Sequence, residues 1–246
     1  MGIDNQVIAG IDSCFHGKTY GPRMKIKRYP SANMQQNWII EGYRGFDCYF
    51  WPEVYLRRWR EAQRRGGLLC FDEIQSGFGR TGKAFAYEHY DITPDLLVIG
   101  KGAFSGFPGS AVLSRSGLIS AIAEGELSST HGGGPLACAA GLETLKVMVD
   151  WDLVYESYRK GLVLHGYLNE IPGMVGKTAG RGLVAAVFAG DSGAADDIVL
   201  RCRDRGLLLV HTGKSSVKIG PPLTITDKAL VEGLDILKGV LRDVTP

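Results

Sequence analysis

A lysine between two glycines, Gly100-Lys101-Gly102, follows directly on the apolar run Leu96-Leu97-Val98-Ile99. The glycines leave room around the amine, and a buried strand behind it keeps water away. Desolvation disfavours the charged form of an amine and makes it nucleophilic toward a carbonyl. Two further apolar runs end in carboxylates: Leu68-Leu69-Cys70-Phe71 on Asp72-Glu73, and Trp38-Ile39-Ile40 on Glu41. An amine and carboxylates at one sheet edge read in two ways. One is a structural ion pair. The other is a reactive amine beside a carboxylate that keeps the nitrogen of a pyridinium ring protonated so that the ring acts as an electron sink. A phosphate on such a ring needs an anion site. Ser128-Ser129-Thr130-His131-Gly132-Gly133-Gly134-Pro135 offers hydroxyls and backbone amides ahead of a helix start, where N–H groups and the helix dipole favour phosphate. Loops of this composition are usually plain turns, and no Gly-Lys-Ser/Thr follows at P-loop spacing.

The elements that must carry these residues alternate. Residues 53–65 read as an amphipathic helix stopped by Gly66-Gly67. Residues 68–71, 96–99 and 110–113 read as strands, the first two fully apolar, as expected of strands covered on both faces. Buried strands separated by helices or long connections imply an α/β layer with a mainly parallel sheet. Ligands collect at the carboxyl ends of such strands, the edge reached by Glu41, Asp72 and Lys101. Beyond Pro135, residues 136–149 and 153–169 read as helices, 182–189, 207–210 and 217–219 as strands, and 195–205 as a helix between the first two of these. Residues 226–243 form a closing helix capped by Thr226 or Thr224. The division expected is a partial large domain over 1–135, then a connecting helix and a small α+β domain over 136–246.

With 246 residues, 45% hydrophobic and 22% charged, the chain can bury a substantial core and is not disordered by composition. Its 28 basic and 26 acidic residues leave a net charge of +2, which gives no electrostatic argument for nucleic acid or a membrane surface as partner. The run Arg57, Arg58, Arg60, Arg64 and Arg65 reads as a solvated helix face. The five cysteines form no Cys-x-x-Cys pair and no metal-like group, so the expectations are a reducing, cytoplasmic location and no metal. No signal-peptide core opens the sequence, and no apolar run of about 18 residues is present to span a bilayer.

The stretch Asp72-Glu73-Ile74-Gln75-Ser76-Gly77-Phe78-Gly79-Arg80-Thr81-Gly82 resembles the signature of class III aminotransferases, the family of 4-aminobutyrate, ornithine and acetylornithine aminotransferases. Pro94-Asp95, Gly100-Lys101-Gly102, Gly106-Phe107-Pro108-Gly109, Thr130 with its glycines, and Pro135-Leu136-Ala137-Cys138-Ala139-Ala140 continue in the family's order. Cys14-Phe15-His16-Gly17-Lys18-Thr19, Gly180-Arg181-Gly182-Leu183 and Pro222-Leu223-Thr224 are similar to its remaining motifs. The resemblance spans nearly the whole chain. It implies a large domain of pyridoxal-phosphate transferase type (fold type I), with pyridoxal 5'-phosphate as cofactor, a small-molecule amine donor and a carbonyl acceptor. It also implies roles. Lys101 forms the Schiff base and afterwards moves the proton between substrate and cofactor. Asp72 pairs with the ring nitrogen, Gln75 lies near the phenolic oxygen, and Phe15 stacks on the ring. Thr130 reaches the phosphate of a neighbouring subunit, which implies a homodimer with shared sites. His16 sits beside the stacking aromatic, where a structural role is equally available, and Arg80 reads as scaffold.

Two features depart from the family. The sequence lacks about a domain's worth of chain ahead of the Phe-His-Gly segment, so it reads as N-terminally incomplete, with exposed apolar surface and poor solubility expected. The arginine that forks onto the substrate α-carboxylate is replaced by Lys218, a point charge. The glutamate that switches with that arginine has no clear counterpart near Glu41; Asp47 is the stand-in. Together these changes suggest an amine without an α-carboxylate, such as an amino sugar, with Tyr49-Phe50-Trp51 as a pocket wall or as packing. Two other readings stay open on the sequence: an aminomutase or racemase on the same scaffold, and a non-catalytic truncated fragment.

Overall fold

Runs without a charge become the middle of a sheet, and here they do so at Leu68–Asp72 (β4) and Leu96–Gly100 (β5), where Leu69, Cys70, Phe71, Leu97 and Ile99 are buried. The computed structural model describes residues 8–11, 26–29, 38–41, 53–115, 117–127, 129–171, 178–213 and 215–244. Contacts divide the chain into two units. The described part of the first comprises 8–11, 26–29, 38–41, 53–78, 85–115, 117–127 and 129–151; that of the second comprises 79–84, 152–171, 178–213 and 215–244.

The first unit holds a six-stranded sheet in the order β2-β1-β3-β4-β5-β6, where β1 is Ile8–Ile11, β2 Ile26–Tyr29, β3 Trp38–Glu41 and β6 Ser110–Ser114. All its pairings are parallel except β5 with β6. Helix α1, Glu53–Arg64, lies against β4 and buries Trp59 completely, edge-on to Phe71 at 5.6 Å between ring centres. Of its basic run, Arg57 and Arg64 are exposed, as is Arg65 beyond it, but Arg60 donates to the Tyr90 and Asp91 carbonyls. Helix α2, Pro135–Asp150, starts with proline at its first position, where no N–H is needed. Apart from Thr144, its described side chains are half-buried or exposed, Leu136, Leu142 and Val149 among the exposed.

The second unit folds α3 (Leu153–Asn169), α4 (Ser192–Asp204) and α5 (Asp227–Val244) with a four-stranded antiparallel sheet. The strand order is β7-β8-β10-β9, with β7 Thr178–Arg181, β8 Val184–Phe188, β9 Val210–Thr212 and β10 Ser216–Ile219. Leu230, Leu234, Leu237 and Leu241 recur at helical spacing along α5 and are all buried. Burial of each stabilises the unit by about 1.5–3 kcal/mol. Asp191 caps α4, accepting from the Ala194 amide at 2.8 Å, and Thr226 rather than Thr224 caps α5, accepting from the Ala229 amide at 3.2 Å. No described helix is long and apolar enough to cross a membrane.

The structure adds detail to three sequence readings. By contacts, α2 packs on the Lys101–Phe104 turn and groups with the first unit, which extends to Trp151. The strand expected over 182–189 is β8, and β7, which pairs with it across Gly182-Leu183, precedes that span and was not expected. Leu207 to Leu209 are not a strand: the Leu207 amide donates to the Cys202 carbonyl and closes α4, and β9 begins at Val210.

Candidate functional site

β3, β4 and β5 are adjacent and parallel, so their carboxyl ends lie along one edge. Glu41 pairs with Phe71 and Asp72 with Val98, two residues ahead of Gly100 and the turn that opens with Lys101. The backbone thus carries Glu41, Asp72 and Lys101 to the same edge. The Asp72 carboxylate is half-buried and accepts from the Ile74 amide at 3.2 Å, which starts the turn bearing half-buried Gln75. That turn lies against the Lys101 turn. A Cβ placed on Gly100 would sit 3.5 Å from Ile74 Cγ2, and one on Gly102 would meet Phe78 Cβ at 3.9 Å.

Lys101 opens a single 3₁₀ turn, Lys101–Phe104, and has φ +46°; Ser105, which closes it, has φ +47°. Both are in the left-handed region that a side chain disfavours, a strain that tends to collect at functional positions. Neighbours hold the turn from outside. The Phe104 ring fills the space that side chains at Gly109 and Gly141 would occupy, with ring atoms 2.6 and 3.3 Å from their would-be Cβ atoms. Thr144 Oγ1 and Ser105 Oγ share a hydrogen bond at 2.9 Å. Lys101 is exposed just past Gly100, where β5 ends, so the described residues do not shield its amine from water.

The remaining expected residues are less gathered. Thr130 is exposed in the turn ahead of α2, where the Gly132 amide donates to the Ser129 carbonyl and Gly133 takes φ +66°. Lys218 is half-buried on β10 of the second unit, paired with Ala186 and Val210. Phe15, His16, Asp47 and the Tyr49-Phe50-Trp51 cluster lie outside the described residues. Arg80 is scaffold: its Nη1 donates to the Leu183 and Pro221 carbonyls at 2.9 and 2.5 Å, and its own carbonyl accepts from the Leu183 amide at 3.0 Å. Among the described residues no group of acid, histidine and cysteine side chains could hold a metal.

Two carboxylates deserve contrast. Asp95, at the opposite end of β5, is buried and engaged by the Leu69 amide, Gln63 and Arg115, so it is structural. Glu73, for which the sequence suggested no role, is 1% exposed directly beside Asp72, and burial pushes its carboxyl above the ordinary range.

A sheet edge with this lysine, acid and amide defines a class of protein before any particular one. Residues 39–241 match the class-III aminotransferase family, and the chain belongs to it. It is 38% identical over 192 residues to acetylornithine aminotransferase of Methanopyrus kandleri, covering 78% of this chain and 49% of that protein. It is also 38% identical over 206 residues to 2-aminoadipate transaminase of Pseudomonas putida, covering 77% and 48%. The ornithine aminotransferase of Toxoplasma gondii, solved with partial occupancy of pyridoxal phosphate at its active site, superposes with a TM-score of 0.86 at 26% identity. That match covers 99% of this chain and 66% of that one. The fold is therefore that of this family's transferases, and the chain spans about half the length of the curated relatives it matches. Its donor set suits a pyridoxal ring: a primary amine for the aldehyde carbon, a carboxylate for the ring nitrogen and an amide side chain on the same turn as that carboxylate.

Proposed function

We propose that the protein moves an amino group from a small-molecule amine donor to a carbonyl acceptor, with pyridoxal 5'-phosphate held at the carboxyl edge of β4 and β5. The observation that carries this reading is the adjacency of the Asp72–Gln75 turn and the Lys101 turn in a chain of the class-III aminotransferase family. The bound ring supplies an electron sink for charge developing on the substrate carbon. Asp72 supplies the negative charge that keeps the ring nitrogen protonated. Gln75 donates or accepts beside the ring's phenolic oxygen. Lys101 holds the cofactor covalently and, when released, takes and returns the proton at its Nζ. The strained backbone at Lys101 and Ser105 fixes where that amine starts from. Phe15, with His16 beside it, covers the ring, and Thr130 serves the phosphate of a second copy, so the working form is a homodimer.

Lys218 supports a donor without an α-carboxylate, an amino sugar among them, because an ammonium does not make the two-pronged contact an arginine gives a carboxylate. The relatives' names point instead to acetylornithine and 2-aminoadipate as donors to try beside it. The test is titration of the purified chain with pyridoxal phosphate, borohydride reduction and peptide mapping, followed by a donor panel with and without α-carboxylates. A label on Lys101 and transfer from one donor class support the reading. A folded protein that takes no label at Lys101 overturns it.

A further inference from the structure

We propose that Glu73 is a positioning residue for the cofactor edge: from beneath it, the Glu73 carboxylate holds the 73–77 turn and thereby sets where Asp72 and Gln75 present their side chains. This rests on the reading of Asp72, Gln75 and Lys101 as the pyridoxal-phosphate site.

Glu73 is among the largest fully buried side chains of the molecule, and every oxygen it has is engaged from a different direction. Oε2 accepts from the Ser76 hydroxyl at 2.5 Å and Oε1 from the Tyr87 amide at 2.9 Å, with the Ala86 amide also directed at the carboxylate. On the main chain, the Glu73 amide donates to the Val98 carbonyl at 2.9 Å, carrying the β4–β5 ladder one residue past Asp72. Its carbonyl accepts from the Gly77 amide at 3.0 Å. One residue thus ties the sheet, the turn and the 86–87 backbone together, and Gln75 sits between two of the tied points. The turn has no slack: a Cβ at Gly77 would lie 2.8 Å from the Glu73 carbonyl oxygen and 3.1 Å from the Phe85 ring. The donors at residues 86 and 87 are backbone N–H groups that cannot reverse, so the position demands an acceptor. With both oxygens occupied and almost no exposure, Glu73 does not exchange protons with a substrate. It acts through its neighbours.

Glutamine keeps most of this arrangement. Its oxygen accepts from the backbone amides and its NH₂ donates to a rotated Ser76 hydroxyl, whereas alanine removes every side-chain tie. The experiment compares the full chain with Glu73→Gln, Glu73→Ala and Ser76→Ala. It reads pyridoxal-phosphate affinity, the pH titration of the bound cofactor's visible band, and amide hydrogen exchange over residues 73–77. Expected are roughly tenfold weaker binding and a displaced band titration for Glu73→Ala, near wild-type values for Glu73→Gln, and an intermediate loss for Ser76→Ala. Exchange should rise at 74–77 in Glu73→Ala while β4 and β5 stay protected. Should Glu73→Ala fail to fold, Ser76→Ala carries the test alone, with faster exchange at 74–77 and weaker binding expected. Unchanged exchange and an unchanged band titration in the folded alanine variants overturn the proposal. Absence of a label on wild-type Lys101 instead sinks the assignment of the site, and the exchange data still decide whether Glu73 holds the turn.

Discussion

The candidate site and the β7–β8 reversal both use left-handed backbone, but they fill it differently. Around the candidate site of the first unit it is occupied by Gly106 but also by Phe78, Lys101 and Ser105, residues whose side chains strain there. In the second unit, where β7 turns into β8, it is occupied by Gly180 and Gly182. Those glycines are dictated by packing: a Cβ on Gly180 would lie 2.1 Å from the Val184 carbonyl oxygen, and one on Gly182 would lie 2.4 Å from Thr81 C. At this reversal, where packing decides, glycine is used and the backbone is unstrained. At Lys101, the proposed Schiff-base residue, the fold carries the cost of a side chain there, of order 1–3 kcal/mol. The same contrast runs through the charges, since Arg80 in the second unit is consumed by backbone carbonyls while Lys101 is exposed.

The harshest way to break this comparison is to remove the lysine. Lys101→Ala should abolish the borohydride-dependent label and reduce transfer on the order of 10²–10⁴-fold, while circular dichroism and the unfolding midpoint stay near wild type. Transfer that persists in the variant would place the reactive amine elsewhere. Next in size is the scaffold arginine. Arg80→Met strips two carbonyls of a charged donor, and chemical denaturation of the full chain should show a loss of about 3 kcal/mol. A loss within experimental error would mean that water replaces the guanidinium at no cost, and that Arg80 is kept for another reason. A finer probe sharpens the strain argument itself. Lys101→Gly should be more stable than Lys101→Ala by about 1 kcal/mol, because only glycine is relaxed at φ +46°. Equal stabilities would show that the turn relaxes once the lysine is gone.

Much of the first unit was legible because its central strands are buried on both faces and so read as unbroken apolar runs ending in charge. The edge strand β2, Ile26-Lys27-Arg28-Tyr29, carries no such signal, nor does β7 with Thr178-Ala179-Gly180-Arg181, where small residues make room for close backbone approach. Leu207 to Leu209 misled in the opposite sense: they are apolar, yet Leu208 is 83% exposed and the segment closes a helix. At the site, chain direction already separated Asp72, which follows an apolar run, from Asp95, which precedes one. The partners that make Asp95 structural, Leu69, Gln63 and Arg115, are brought together only by the folded chain. Glu73 was in view as the neighbour of Asp72, but its role depends on Ser76 and on amides fourteen residues away, and no local pattern encodes that. The grouping of α2 with the first unit was likewise hidden, because it runs through Gly141 and Thr144, two small residues that look unremarked in an apolar helix.

The smallest expected effect concerns a histidine of the second unit that is not among the proposed site residues. His165 on α3 is half-buried, with Nε2 3.2 Å from the Gly182 carbonyl and Cε1 3.0 Å from where a Gly180 side chain would begin. Burial holds its pKa below the ordinary 6.5, only partly offset by the bond to the Gly182 carbonyl. The unfolded chain therefore binds more protons at this residue than the folded one between those two values, and stability rises with pH across the window. Read downward, the contribution is complete above pH 6.5 and is lost as pH falls through the folded pKa. Urea denaturation of wild type and His165→Gln at a series of pH values should give curves that run parallel above about pH 7 and converge on acidification, with wild type losing more. Parallel curves throughout would show that His165 titrates alike in both states, and that the β7–β8 reversal tolerates a charged ring. Convergence would tie the pH dependence of the second unit to the same close backbone approach that makes Gly180 and Gly182 necessary.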